Sequence, residues 1–239
     1  MNIIFLSSPF FRAYSQSDLF GKFIFLSLFL LSIISWVVLV QKILLSKKLK
    51  KLNFNLESII QNKKDHLLSI KYDSKISYPY FNIFKNLKEK TLEILNKNSF
   101  FQNKEKNQIY MSSSDIELID STLFSQITKE KKIFEKNLFI LPTIVTLGPF
   151  LGLLGTVWGI LITFSTLEKN SLINSNSQIL SGLSMALATT VLGLLVAIPA
   201  LIAYNYLKNC AKDLVTDLEN FSHSLLTTVE IQYRKVDDK

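Results

Sequence analysis

The chain has 239 residues, 48% hydrophobic and 12% aromatic, with a mean hydropathy of +0.26. That is too apolar for an ordinary soluble domain, while 19% charged residues is too many for a wholly buried one. The formal net charge of +8 raises the question of nucleic acid, but its placement argues for none: eighteen lysines stand against eleven acidic residues in the single stretch 46–137.

In chain order, residues 1–22 form a segment predicted to be periplasmic, followed by a first transmembrane helix over 23–45. Its apolar run, Phe23 to Val40, carries no Asp, Glu, Lys, Arg or His, and a bilayer core of roughly 30 Å takes about 20 such residues. The run is long, no small-residue cleavage pattern follows it, and the basic residues lie after it, which reads as a retained helix rather than a signal peptide. Lys42, Lys47, Lys48, Lys50 and Lys51 crowd its far end, against Arg12 and Lys22 before it. The positive-inside rule then places the N-terminus outside and the following loop in the cytoplasm.

Residues 46–137 are predicted to be a mostly helical cytoplasmic loop, with 96–108 as its mobile connection. Ser114, three residues before Glu117, reads as a capping box. From there Ile116, Ile119, Leu123 and Ile127 keep helical spacing toward Phe134 and a second transmembrane helix over 138–164. Residues 165–179 form a short periplasmic loop, 180–207 a third transmembrane helix and 208–239 a cytoplasmic helical tail. In that tail Leu214, Leu218, Phe221, Leu225 and Val229 mark one packing face. The expected fold class is all-α: an integral membrane protein with three transmembrane helices, the second and third extended as a long helical hairpin into the cytoplasm.

Gly148, Gly152, Gly155 and Gly159 recur at helical spacing in the second span. Helices in lipid gain nothing from burying apolar surface against each other, so close association relies on small residues that let backbones approach. Ala186, Gly193 and Ala197, with Ala200 nearby, give the third span a matching surface. Thr190 lies on that surface, and Thr156 and Thr163 flank the glycines seven residues apart. A single intramembrane threonine most often bonds its own backbone; three beside small-residue stripes point to a polar path. Pro142, Pro149 and Pro199 free backbone carbonyls, and Thr143 and Thr146 are candidates to satisfy them.

Proton transfer needs a group that can store the charge, and the three spans hold none. A conducting path would therefore take its carboxylate from a partner helix. No nucleophile–base pair, metal-ligand cluster or phosphate-cradling loop marks an enzyme or a bound cofactor. Cys210, His66 and His223 are too few and too scattered for a metal site and read as packing or surface residues.

The runs "GLLGTVWGI" at Gly152–Ile160, "GLSMALATTVLGLLVAIPALIAYN" at Gly182–Asn205 and "SWVVLVQK" at Ser35–Lys42 together resemble the TolQ/ExbB/MotA proton-channel family, with the end of the first helix most like TolQ. The resemblance implies a homo-oligomeric ring, pentameric in ExbB-like members, in the cell inner membrane. The ring would surround the helices of a TolR- or ExbD-like single-span partner whose membrane Asp carries the proton, with a TolA- or TonB-like protein as a further partner. It assigns Thr156 and Thr190 to the proton route, and matches Pro199, Tyr204 and Asn205 to the end of the third helix.

Met185 stands where many relatives have glutamate, which leaves the partner's acid as the titratable group. The implied function is to couple the proton motive force to the outer envelope, in a Tol–Pal-type role in envelope maintenance and cell division. The alternatives are ExbB-like energising of TonB-dependent uptake, a flagellar or gliding stator, and, from another class, a non-conducting membrane scaffold.

Overall fold

The computed structural model describes residues 9–61, 68, 78–101, 110–169 and 175–234. Six helices account for nearly all of them: α1 (Pro9–Gln16), α2 (Leu19–Gln61), α3 (Pro79–Phe101), α4 (Ser113–Glu135), α5 (Ile140–Lys169) and α6 (Ser175–Tyr233). No strand occurs among the described residues; one isolated bridge pairs Met111 with Arg234. Three stretches, Leu19–Asn53, Ser113–Glu168 and Ile179–Tyr233, are long and apolar enough to cross a membrane. His66, residues 102–108 of the expected connection and 170–174 of the expected loop lie outside the described residues.

The chain divides into two compact units, one of Met1–Lys42 with Asn137–Leu207, the other of Ile43–Lys136 with Lys208–Lys239. In the first, α5 and α6 pair along the glycine stripe, while α1 and the start of α2 pack beside them. Ala13 and Phe25 are buried with Met185 and Ala188, flanked by Trp158, Ile162 and Leu192. Leu31 of α2 rests against Ile144, Val196 and Ala200 of the pair. On the other side of α5, Phe150, Val157, Leu161 and Phe164 are exposed, an apolar surface suited to lipid or another membrane helix.

The second unit is built as a water-soluble core is. Phe84, Ile83 and Leu87 of α3, Ile119 and Leu123 of α4, and Leu218, Leu225 and Val229 of α6 are almost wholly buried together, with Leu214 and Phe221 packed against them. The face expected of 214–229 is the one that packs. Cys210 lies partly buried beside Leu49, Phe134 and Ala211. Glu130, 4% exposed, accepts hydrogen bonds from Asn82 at 2.8 Å and Gln126 at 2.6 Å, which answers the cost of burying a carboxylate.

Several local expectations are corrected. The capping box is formed by Ser112 and Asp115, not Ser114 and Glu117: the Ser112 hydroxyl accepts from the Asp115 N–H at 3.2 Å and Asp115 Oδ2 accepts from the Ser112 N–H at 2.9 Å. Asp115 is also held by Asn98 of α3, a tie for which Glu117 has no counterpart among the described residues. The α4 helix does not run on into the second span. It stops at Glu135, turns through 136–139 and restarts at Ile140, with Asn137 at φ 67°, a left-handed conformation that asparagine tolerates better than most residues. The connection expected at 96–108 begins later, because α3 continues to Phe101.

Candidate proton-path site

The seam between α5 and α6 follows from residue size. A Cβ placed on Gly148 would come within 2.9 Å of the Gly193 carbonyl oxygen, one on Gly152 within 3.0 Å of the Thr190 Cα, and one on Gly159 within 2.6 Å of the Gly182 carbonyl oxygen. Real Cβ atoms do not sit that close to backbone, so the two helices touch main chain to main chain only because these positions lack side chains. Ala186 and Ala197, both buried, fill what room is left. The packing role expected for Gly148, Gly152, Gly155, Gly159, Ala186, Gly193 and Ala197 corresponds to this contact.

At Gly155 the neighbour is Thr189, whose Oγ1, Cβ and Cγ2 occupy the place a Cβ would take. Thr189 is fully buried, and its hydroxyl donates to carbonyls of its own helix, Met185 at 3.0 Å and Ala186 at 2.9 Å. Sequence reasoning chose Thr190 and passed over Thr189. The adjacent pair "TT" opposite a lone glycine was the only signal, and the choice of which hydroxyl enters depends on the rotation of α6.

The three expected hydroxyls are placed differently from one another. Thr190, partly buried, lies 3.3 Å from its own-helix Ala186 carbonyl and 3.3 Å from the Gly152 carbonyl of α5, so it bridges the pair. Thr163 is buried over Gly182 and donates to the Gly159 carbonyl at 2.8 Å. Thr156 is half-exposed and donates to Leu153 at 2.6 Å. Within one chain, therefore, Thr163 and Thr190 share the seam and Thr156 does not join them there. Thr143 and Thr146 donate to the carbonyls of Phe139, Pro142 and Thr143. They do not serve Val145, the residue whose carbonyl Pro149 frees.

Pro199 and Asn205 are exposed and Tyr204 is half-buried. Met185 is 1% exposed and packs against the start of α2 beside Gly21. That neighbourhood holds a carboxylate after all. Asp18, immediately before α2, accepts the Trp158 indole N–H at 3.0 Å through one oxygen and the Gly21 N–H at 3.0 Å through the other. Phe20 stacks on the same indole with ring centroids 4.5 Å apart. Among the described residues no group of three or more His, Cys, Asp or Glu is arranged to hold a metal ion.

The profile of the MotA/TolQ/ExbB proton channel family matches residues 93–220, more than half of the chain. The chain is 42% identical over 89 residues to the biopolymer transport protein ExbB of Aquifex aeolicus, covering 37% of this chain and 60% of that protein. It is also 42% identical over 100 residues to an ExbB-like 2 biopolymer transport protein of Helicobacter pylori, covering 42% and 66%. With ExbB of Xanthomonas campestris the identity is 34% over 116 residues, covering 48% and 45%. The matches thus span less than two thirds of these relatives' own length. The family profile and the three long apolar helices agree: this chain is a multi-pass membrane protein that belongs to the MotA/TolQ/ExbB proton channel family.

Proposed function

We propose that this chain is an ExbB-type subunit of a proton-driven motor in the cell inner membrane, with its N-terminus outside and its C-terminus in the cytoplasm. It would form a ring, pentameric by analogy with ExbB-like proteins, around a single-span partner of the ExbD or TolR kind. The observation that carries this reading is the hairpin itself: two charge-free spans in main-chain contact, with the Thr190 hydroxyl shared between Ala186 and the Gly152 carbonyl of the other helix. Such a surface can guide a proton but cannot hold one, so the partner supplies a membrane aspartate. Thr190 and Thr156 then line its route, with Thr163 nearer the packed seam.

Each elementary charge that crosses is worth about 2.3 kcal/mol per 100 mV, and that energy would drive the partner's movement within the ring. The work is to energise TonB-dependent uptake. The relatives' shared name of biopolymer transport protein favours this over the Tol–Pal role that the TolQ-like end of the first helix suggests.

Replacement of Thr190 by valine keeps the shape and removes the hydroxyl. The expected outcome is an assembled complex that no longer energises uptake; normal uptake by the Thr190→Val strain would favour the non-conducting scaffold. Envelope leakage in a deletion strain that takes up nutrients normally would return the reading to Tol–Pal.

A further inference from the structure

Gln16, Ser17 and Asp18, between α1 and α2, form with Ile162 and Thr166 of α5 and Ser181, Gly182 and Met185 of α6 the lining of a cavity of about 520 Å³. A water takes about 30 Å³, so the space holds several. Asp18 is the one ionisable side chain among these residues, and Arg12, Lys22 and Glu168, charged residues near them in the chain, are not part of the lining. At its inner edge Gly182 meets the Thr163 hydroxyl, the start of the seam that leads on to Thr189 and Thr190.

A carboxylate that only capped α2 would need one oxygen. Asp18 does cap it, through Gly21, but its second oxygen is fixed by Trp158, 140 residues further along the chain. Two donors occupy two of about four lone-pair positions, and the others remain for water. Asp18 is exposed, so it also meets solvent.

We propose that Asp18 is a proton-exchange group of this subunit, loading the cavity at the end of the hairpin. Its carboxylate takes a proton from a hydronium ion, giving the neutral acid and water. It then passes that proton to a cavity water, giving hydronium and restoring the carboxylate. The inference rests on the channel reading and adds to it an acid that belongs to the chain itself. Trp158 is a positioning residue, aiming the carboxylate into the cavity.

The test is proton flux, followed with a pH-sensitive dye, through vesicles holding the full chain with its membrane partner under an imposed potential. D18N and D18S both keep a capping oxygen without titrating. Each is expected to cut flux about a hundredfold, the low end of what a lost proton-transfer group costs, and D18E is expected to restore it. Assembled D18N and D18S complexes that conduct as the wild type does overturn the proposal. So does assembly of D18E alone, which would make the Asp18 carboxylate a structural requirement of the fold rather than a proton-exchange group. A wild-type complex that passes no protons would instead strike the channel reading itself, and this inference with it.

Discussion

The two units of this chain are held by opposite means. In one, α5 and α6 meet through Gly148, Gly152, Gly155 and Gly159, and an added methyl at these positions would strike backbone or the Thr189 side chain. In the other, Phe84, Leu87, Ile119, Leu123, Leu218 and Leu225 fill a core with bulk. The difference is one of solvent. Water rewards burial of large apolar side chains at about 25 cal/mol per Å², whereas lipid does not distinguish a leucine facing a helix from one facing an acyl chain. Contact there rests on closeness and on hydrogen bonds such as Thr190 to Gly152. The same kinds of apolar residue thus build a core in one unit and a coat in the other.

The sharpest way to break this contrast is to remove bulk from the soluble core. Phe84 is 1% exposed, and Phe84→Ala is expected to cost about 3–5 kcal/mol, read as earlier thermal unfolding with loss of amide-exchange protection in α3, α4 and the end of α6. Protection across α5 should be kept. A smaller effect is expected from adding bulk to the membrane pair. Gly155→Ala forces Thr189 aside and should cost about 1–3 kcal/mol, seen as loss of thermal stability in detergent. The exchanged pair Gly155→Ala/Thr189→Gly should recover part of it, and failure to recover any would show that the contact is not a matter of local fit.

The smallest effect concerns the Ser112–Asp115 cap. Partial burial pushes the Asp115 carboxyl up, but the hydrogen bond from the Ser112 backbone, those from the Asn98 and Ser112 side chains and the charge of Lys97 together outweigh it and hold the group below its ordinary value. A depressed carboxyl stabilises the folded form fully above its unfolded value, and that contribution is lost as pH falls through the folded one. The protection factors of the first amides of α4, taken relative to the unstructured rate at each pH, should therefore fall in acid, and in an Asp115→Asn variant that fall should disappear.

Much of this was legible from residue order. Apolar runs without charge gave the three spans, the 214–229 spacing gave the buried face of α6, and the glycine and alanine stripes gave the surfaces on which the pair meets. The two local misreadings have different causes. Ser114 and Ser112 both offer a hydroxyl three residues before an acid, and only the tie from Asp115 to Asn98 of another helix selects between them. The break at Asn137 is a single residue's φ, which helical periodicity on either side does not reveal.

The sequence by itself determined that three helices are long and apolar enough to cross a membrane, that two of them can approach closely, and that their apolar runs carry no charge, because these depend on composition and spacing along one chain. Only the tertiary structure decided that Thr189, rather than Thr156, sits in the glycine seam, and that Asp18 reaches Trp158 beside a polar cavity. Those outcomes depend on the rotation of one helix against another and on a contact 140 residues apart in the chain. Both are fixed by packing in three dimensions, which local residue order does not determine.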